Sequence, residues 1–485
     1  MNSTVKKNIL TFCICLCTVL TFAQQKMEKD LYLLQSNFVD LRFGAMIHFN
    51  MGTFTDEEWA SPRHDPKEFN PTKLDCSQWA KACKAAGMTY GILTTKHHDG
   101  FCLWDSKYTD YDIGNSPLKR DVVAEYVKAF RKEGLKPCLY FSIWDRHNGV
   151  ENGGAKQEEF VMNQLTELLS NYGEIPMIIF DGWNWKMGHK SISYQRIYDH
   201  IKKLQPNCLV SEHNGNSPLQ TDLVYYEGPK GVYPQGNNVY PSQMALTLTN
   251  GWFWHTNAPK EVKDINYTLD KLQRVIPLYC NYMINIGPNR EGLFDREAVE
   301  HLEGVGKRWK KADRLPLPKQ PVIPRVYLKS TIVSSSTGEA FIEPKGAAGD
   351  GSPIADLLSQ KTASVMADGI SDLVGDNGGF AAFQTYWKFS PDTERYIVLD
   401  LGSEESISKF YYLPAQLKGY SGIVTQYVLS VSNDNQSFKA VKSDYWSKTS
   451  DLKIASFSPV KARYIKLQIL KSIDEAMISE VGAGN

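Results

Sequence analysis

The sequence has no excess of charge of either sign, since 54 Lys and Arg residues balance 54 Asp and Glu residues. A nucleic-acid-binding protein normally carries a surplus of basic residues, so this balance argues against such a partner. Cysteine is scarce as well, with 9 in 485 residues, and three of these lie at positions 13, 15 and 17. The other six are too few for a disulfide framework in so long a chain. The chain also lacks a Cys-x-x-Cys pair and a His-Glu-x-x-His segment, which argues against a zinc site.

Charge is likewise lacking in one stretch near the N-terminus. Lys6 and Lys7 precede an apolar run from Ile9 to Phe22, and small residues lead up to Ala23. This order is typical of a signal peptide over residues 1–23, and the run is short for a membrane span. We therefore expect an exported protein, periplasmic or secreted, with no membrane span in its mature form.

Short apolar runs alternate with helical patterns over the first three fifths of the chain. The predicted strands are 43–49, 89–95, 136–142, 176–181, 207–212, 222–227, 250–254 and 281–286. The predicted helices are 73–87, 120–134, 156–171, 193–204, 262–277 and 294–311. Alternation of this kind predicts a parallel sheet, and eight units predict a (β/α)8-like TIM barrel over residues 24–314. The loop between 212 and 222 is too short for a full helix, so that unit is expected to be degenerate.

The alternation of strands and helices ends at a proline-rich segment, 315–325, whose composition is typical of a semi-rigid linker. Beyond it, residues 396–402, 426–432 and 462–469 alternate between apolar and polar side chains, and turn residues separate them. This spacing predicts an all-β sandwich domain over residues 326–485.

Polar and aromatic residues end the predicted barrel strands. In such barrels the active site lies at the C-terminal ends of the strands, and a purely structural barrel needs no such residues there. The strand ends carry His48, Lys96, His97, His98, Asp99, Trp144, Asp145, Asp181, Glu212, Glu227, Trp252, Trp254, His255 and Asn285.

Three of the predicted strands, 176–181, 207–212 and 222–227, have a carboxylate as their last residue, and glycoside hydrolysis needs two carboxyl groups flanking one bond. A retaining enzyme holds them about 5–5.5 Å apart, one as nucleophile and one as acid/base. Asp181 ends a short apolar run and precedes Gly182, which favours it as the nucleophile over a helix cap. Glu227, beside two tyrosines and a glycine, is the preferred acid/base. Glu212 is the alternative, and either glutamate could instead form a structural ion pair.

The strand-end histidines are predicted to bind a sugar and no metal. His97 and His98 are adjacent, and neighbours on a strand point to opposite faces, so they would chelate poorly as a pair. With His48 they are expected to hydrogen-bond sugar hydroxyls. The aromatic residues predicted to stack on the sugar are Trp144, Trp252 and Trp254, although each could equally be core.

Several segments together resemble the α-L-fucosidases of glycoside hydrolase family 29. They are, in order, FGAMIHFNMGTFTDEEW, TTKHHDGFCLWDS, YFSIWD, IIFDG, GWFWH and NYMINIGPNREG, and the resemblance spans residues 30–312. It implies a (β/α)8-like barrel, retaining double displacement without a metal, and Asp181 as the nucleophile. The acid/base does not transfer, because LVYYEGPKG replaces the usual context. The positions that match the family's fucose pocket are His48, His97, His98, Trp144 and either Trp252 or Trp254.

The C-terminal region resembles discoidin-like modules of the coagulation factor 5/8 type C family, through YIVLDLGSEESISKFYYLP, YVLSVSNDNQSFKAV and ARYIKLQIL. That resemblance implies either a carbohydrate-binding module, with a structural calcium in some members, or a docking and stabilising domain. The sequence thus predicts an exported exo-α-L-fucosidase that acts on fucosylated glycans. The alternatives are a retaining hydrolase of a related sugar such as galactose, and a fucose-binding protein that has lost catalysis.

Overall fold

The computed structural model describes most of the chain after the N-terminus. The described residues are 30–183, 186–187, 192–213, 221–230, 234, 238, 240–257, 261–311, 316–318, 330–343, 363, 366, 384–391, 394–415, 421–448 and 453–484. The predicted signal peptide, 1–23, and the predicted linker, 315–325 apart from 316–318, lie outside them. Within these ranges no helix is both long and apolar enough to cross a membrane.

Eight parallel strands form the first sheet. They are β1 (Phe43–Ile47), β2 (Tyr90–Lys96), β3 (Lys136–Ser142), β4 (Met177–Asp181), β5 (Leu209–Glu212), β6 (Val224–Glu227), β7 (Ser242–Thr247) and β8 (Cys280–Asn285). Their order is β5-β4-β3-β2-β1-β8-β7-β6. A single bridge between Ser211 and Leu223 joins the two edge strands. The sheet is thus a nearly closed barrel, which confirms the predicted fold class.

Helices surround this barrel and lie close to the predicted positions. They are α1 (Leu31–Val39), α2 (Met51–Thr55), α3 (Cys76–Ala85), α4 (Val122–Lys132), α5 (Ala155–Asn171), α6 (Tyr194–Leu204), α7 (Ile265–Val275) and α8 (Arg296–Arg308). Aspartates begin several of them. Asp75, for example, accepts from the backbone N–H groups of Ser77 and Gln78 at the start of α3, which satisfies two of the donors a helix start leaves open.

One predicted strand is wrong. Residues 250–254 form a bend and not a strand, and the seventh barrel strand is β7, Ser242–Thr247. Three polar residues, Ser242, Gln243 and Thr247, interrupt the apolar run of β7, so the sequence pattern does not predict this strand. The apolar GWFW segment belongs to the loop that follows, where Gly251 has a φ of +90° and a Cβ would lie 2.3 Å from Glu58 Oε1.

Alternate residues of each strand face the barrel interior. Met46, Tyr140, Met177 and Tyr225 belong to a cluster inside the barrel, and α1 packs against it at one end through Phe38. The intervening residues belong to the larger core between the strands and the outer helices. A strand-end residue therefore faces the barrel interior if it lies an even number of positions along the chain from one of these interior residues, and faces the helices if the number is odd.

The C-terminal residues form a separate antiparallel sheet. Its strands are β9 (Thr331–Ser335), β10 (Gly338–Glu343), β11 (Gln384–Phe389), β12 (Arg395–Pro414), β13 (Val424–Ser432), β14 (Lys439–Tyr445), β15 (Lys453–Ser472) and β16 (Met477–Gly484). Strands β10, β11, β16, β12, β15, β13 and β14 follow one another, and β9 pairs with β12. A core of inward-facing residues fills it, as predicted for a β-sandwich.

Candidate active site

The alternation along the strands separates the three candidate carboxylates. Asp181 lies two residues after the interior residue Ile179, and Glu227 lies two after Tyr225, so both face the barrel axis. Glu212 pairs in register with Phe180, which packs in the outer core. Neighbours in register point to the same face of a sheet, so Glu212 faces the helices, and it is fully buried.

Asp181 is held by two short hydrogen bonds. The Tyr140 hydroxyl donates to Oδ2 at 2.5 Å, and the backbone N–H of Gly182 donates to Oδ1 at 2.6 Å. Burial, and then the charge of Asp181, raises the pKa of Tyr140 well above its usual value, so this hydroxyl keeps its proton. Gly182 has a φ of +66°, and a Cβ there would lie 2.4 Å from the Trp144 Cβ. Only glycine therefore fits directly after this carboxylate.

The imidazole of His213 lies between Asp181 and Glu227. Its Nδ1 is 3.5 Å from Asp181 Oδ1, and its Nε2 is 3.9 Å from Glu227 Oε2. The ring packs on Tyr225 with 4.5 Å between centroids. The two inward-facing carboxylates thus flank one small side chain at the end of the barrel.

His48 is neutral and presents a lone pair. Burial, partly opposed by the hydrogen bond to Asn285, lowers the pKa of His48 to about 3. Its Nδ1 lies 2.7 Å from Asn285 Oδ1, and the Asn285 amide nitrogen donates to Trp252 O. The amide oxygen must therefore accept, so Nδ1 carries the proton of His48. Nε2 is left as an acceptor for a hydroxyl group.

His97 and His98 lie just beyond the end of β2 and not on it. A bulge at Thr95 puts Lys96 in register with Phe141, toward the outer core, and the two histidines follow as a turn. Their rings are 4.1 Å apart between centroids. His97 and His98 therefore do not point to opposite faces of a strand, and that prediction is wrong. Burial, and next the neighbouring His98, lowers the pKa of His97 well below its usual value.

The tautomer of His98 follows from its partner. The Ser142 hydroxyl donates to Trp144 O at 2.7 Å, so it accepts from His98 Nδ1 at 2.8 Å. The other ring nitrogen, Nε2, lies 3.7 Å from Asp181 Oδ2. Both His48 and His98 are thus oriented by a hydrogen bond on Nδ1, and Nε2 of His98 faces Asp181.

Only two of the three predicted tryptophans lie beside these histidines. The Trp144 ring packs 5.0 Å from His98, and the Trp252 ring lies 5.0 Å from His48. Trp254 instead donates its indole N–H to Asp295 Oδ2 and lines a separate depression with Phe253.

A buried ion pair joins the loops that carry the histidines and Trp144. Lys96 Nζ lies 2.9 Å from Asp145 Oδ2 and 2.8 Å from Gln164 Oε1, and both charged side chains are fully buried. The backbone N–H of Arg146 also donates to His98 O. These contacts fix the loop after β2 against the loop after β3.

Sequence reasoning missed three residues of the site: Tyr140, His213 and Trp59. Tyr140 and His213 both have the inward alternation that marks Asp181, and this signal could have found them. Trp59 is 45% exposed, and its ring lies 5.5 Å from Trp144 and 5.6 Å from His98. It comes from the loop after α2, where no strand pattern points to it.

Within the described ranges, no group of three His, Cys, Asp or Glu side chains has the geometry to hold a metal ion. All six cysteines of those ranges are unpaired and buried, in line with the expectation that they form no disulfide framework.

Comparisons with known proteins match both parts of the chain to known families. The family model for α-L-fucosidase matches residues 63–313, and that for the F5/8 type C domain matches residues 360–481. "Alpha-L-fucosidase 1" of Arabidopsis thaliana is 33% identical over 288 residues, which cover 53% of this chain and 56% of the plant protein. "Tissue alpha-L-fucosidase" of Mus musculus is 25% identical over 333 residues, covering 65% and 72%. The chain thus spans about half the length of its plant relative.

A solved structure shares the fold over nearly the whole chain. It is a glycoside hydrolase 29 family member from an unknown rumen bacterium, 24% identical, with a TM-score of 0.52. The superposition covers 93% of this chain and 98% of the other. At this identity the likeness concerns the fold, and it includes both the barrel and the C-terminal sandwich.

Proposed function

The chain belongs to the α-L-fucosidase family, glycoside hydrolase family 29, and from this premise we propose that it is a retaining exo-α-L-fucosidase. It would release L-fucose from the non-reducing ends of fucosylated glycans. The observation that carries the proposal is the placement of two inward-facing carboxylates, Asp181 and Glu227, on either side of His213. A retaining reaction needs two carboxyl groups that converge on one bond.

In the first step, an Asp181 carboxylate oxygen attacks the anomeric carbon of fucose. The bond between that carbon and the glycosidic oxygen breaks, and Glu227 gives its proton to the leaving oxygen. In the second step, Glu227 takes a proton from water, the water oxygen bonds to the anomeric carbon, and Asp181 leaves. Tyr140 and Gly182 hold the carboxylate of Asp181 in place through the hydrogen bonds described above.

Burial keeps His48 neutral, so its Nε2 can accept a hydrogen bond from a sugar hydroxyl. His98, whose Nε2 lies 3.7 Å from Asp181 Oδ2, lies beside the proposed nucleophile and is proposed to bind a second hydroxyl. Trp144, Trp252 and Trp59 supply aromatic surface for the apolar face of the ring and its methyl group. Selectivity against the galactose-type sugar is expected to be modest, because an apolar pocket rejects an added hydroxyl only by about 100-fold.

The acid/base assignment is tested by azide rescue. Glu227→Ala should lose far more activity on natural glycans than on aryl fucosides with good leaving groups, since only the former need a proton on the leaving oxygen. Azide should restore turnover of the aryl fucoside and give a fucosyl azide of the same anomeric configuration as the substrate.

Glu212→Ala is the matched control, because Glu212 ends the neighbouring strand but faces the helices. It should show no azide rescue. Rescue in Glu212→Ala and none in Glu227→Ala would exchange the two roles, and release of β-fucose from the wild-type protein would refute the retaining mechanism.

We also propose that the protein is exported through residues 1–23, for which the charged start and the apolar run of the sequence are the support. Its C-terminal module is proposed to bind glycans or to stabilise the enzyme. Mass spectrometry of the protein recovered from its native host should find Gln24 as the first residue, and an intact N-terminus would contradict export by this route.

A further inference from the structure

His213 lies beside both proposed catalytic carboxylates. It follows Glu212 at the end of β5, its backbone N–H donates to Phe180 O, and its ring faces the barrel axis. Only 7% of the residue is exposed. Its two ring nitrogens point at different partners, Nδ1 at Asp181 and Nε2 at Glu227.

Double displacement requires these two carboxyl groups to differ in protonation. Asp181 must be ionised to attack, and Glu227 must hold a proton to give to the leaving oxygen. Two carboxyl groups in one buried site compete for the proton. The hydrogen bonds from Tyr140 and Gly182 favour the ionised form of Asp181, and a neighbour that donates to Asp181 and accepts from Glu227 would complete the assignment. A neutral imidazole is asymmetric in the required way, because one ring nitrogen donates and the other accepts.

We propose that His213 is a positioning residue that assigns the proton to Glu227 and the negative charge to Asp181. In this arrangement Nδ1–H donates to Asp181 Oδ1, and the lone pair of Nε2 accepts from the protonated Glu227. The proposal rests on the retaining mechanism above and deepens it.

The same tautomer serves the second step. Once Asp181 carries the fucosyl group and Glu227 has lost its proton, the lone pair of Nε2 faces an ionised carboxylate. That contact is repulsive, and it is relieved when Glu227 takes a proton from the attacking water. His213 therefore favours Glu227 as the acid in the first step and as the base in the second, without changing its own protonation.

The surrounding groups allow this orientation. Tyr225 packs against the ring and is fully buried. Tyr140 donates to Oδ2 of Asp181, and Gly182 donates to Oδ1, the oxygen that lies 3.5 Å from His213 Nδ1. The nitrogen-to-oxygen distances of 3.5 and 3.9 Å are longer than hydrogen bonds, and catalytic contacts of this kind commonly shorten when substrate binds.

The test is a double-mutant cycle between His213→Phe and Glu227→Gln, measured as kcat/KM. Phenylalanine keeps the packing on Tyr225 and removes both nitrogens. With phenyl α-L-fucoside, a poor leaving group, His213→Phe should lose at least about tenfold more activity than with 2-chloro-4-nitrophenyl α-L-fucoside. In the Glu227→Gln background the loss on the phenyl substrate should fall to about threefold or less, because residues that act as a unit are not additive.

A merely structural residue would give equal losses on both leaving groups and an undiminished loss in the Glu227→Gln background, and either result overturns the proposal. If His213→Phe does not fold, His213→Gln, which places a donor and an acceptor on one group, enters the same cycle. His213→Gln should also lose more activity on the phenyl substrate than on the 2-chloro-4-nitrophenyl substrate, but by a smaller factor than His213→Phe.

A second measurement does not depend on turnover. In protein labelled with ¹⁵N-histidine, the resonances of His213 are those that disappear in whichever of the two His213 variants folds. They should show a protonated Nδ1 and an unprotonated Nε2. The Nε2–H tautomer, or protonation of both nitrogens, contradicts the proposal. A wild-type protein that releases no fucose would refute the proposed function, whereas the tautomer would still decide the inference about His213.

Discussion

Replacing His48 by glutamine should make the protein less sensitive to acid. Unfolded His48 takes up a proton near pH 6.5, whereas burial in the folded barrel delays protonation to about pH 3. Between these values the unfolded state binds the extra proton, so the free energy of unfolding decreases as the pH falls. Glutamine can still donate to Asn285 Oδ1 and has no proton to take up, so this part of the acid sensitivity disappears.

The size of the stability loss follows from the pH range between the unfolded and the folded pKa of His48. Each pH unit within it costs the folded state about 1.4 kcal/mol. Lowering the pH from about 6.5 to about 4.5 should therefore destabilise the wild-type barrel by about 2 kcal/mol through His48 alone, because unfolded His48 is already half protonated at the upper pH. His97, whose pKa is lowered by the same burial, adds to the wild-type decline and remains in the variant.

Urea unfolding of the barrel, followed by near-ultraviolet circular dichroism at the two pH values, measures the difference. His64→Gln is the opposite control. Although partial burial lowers it, hydrogen bonds to Glu68 and Glu57 leave the pKa of His64 raised. His64 therefore stabilises the fold at low pH, and this contribution is lost as the pH rises, so its removal should steepen the decline on acidification. Equal pH dependence in wild type and His48→Gln would refute the reasoning.

Three further outcomes are expected. Gly182→Ala should be less stable than Gly134→Ala by about 1–3 kcal/mol in urea unfolding, because the two glycines have similar φ values of +66° and +73° but only Gly182 would bring a Cβ against Trp144; equal stability of the two variants would contradict this. Lys96→Met should cost about 3–5 kcal/mol by the same assay, since it leaves the Asp145 charge buried without its cation; a cost below about 1 kcal/mol would contradict this. Dialysis against EDTA should leave fucosidase activity unchanged, and a stoichiometric zinc lost together with activity would overturn the sugar-binding role of the histidines.

The barrel could be predicted from the sequence because most of its strands are unbroken apolar runs. Strand β7 was not predicted because Ser242, Gln243 and Thr247 interrupt its run of apolar residues. The more apolar GWFW segment belongs to the following loop. A hydrophobic run indicates contact with apolar neighbours, and a loop over a barrel end makes such contacts too: Phe253 is buried, and Trp252 and Trp254 are half-buried. The two are separated only by backbone geometry, here the positive φ of Gly251.

For the site, position at a strand end was not enough. Glu212 and Glu227 both end strands, and only the alternation along each strand shows that one faces the helices and the other the barrel axis. The same count would have found His213. Trp59 could not be found in this way, because it reaches the site from a loop whose path depends on tertiary contacts.

The central claim is that Asp181 is the nucleophile of a retaining fucosidase, and covalent trapping tests it most directly. A 2-deoxy-2-fluoro-fucosyl fluoride should form a stable glycosyl-enzyme, because the fluorine at C2 slows both steps while the good fluoride leaving group keeps formation faster than hydrolysis. Peptide mass spectrometry should then find one fucosyl group on the peptide that contains Asp181, and Asp181→Gly should take up none. A label on the peptide of Glu227 or Glu212, or turnover without a trapped intermediate and with inverted product, would contradict the account.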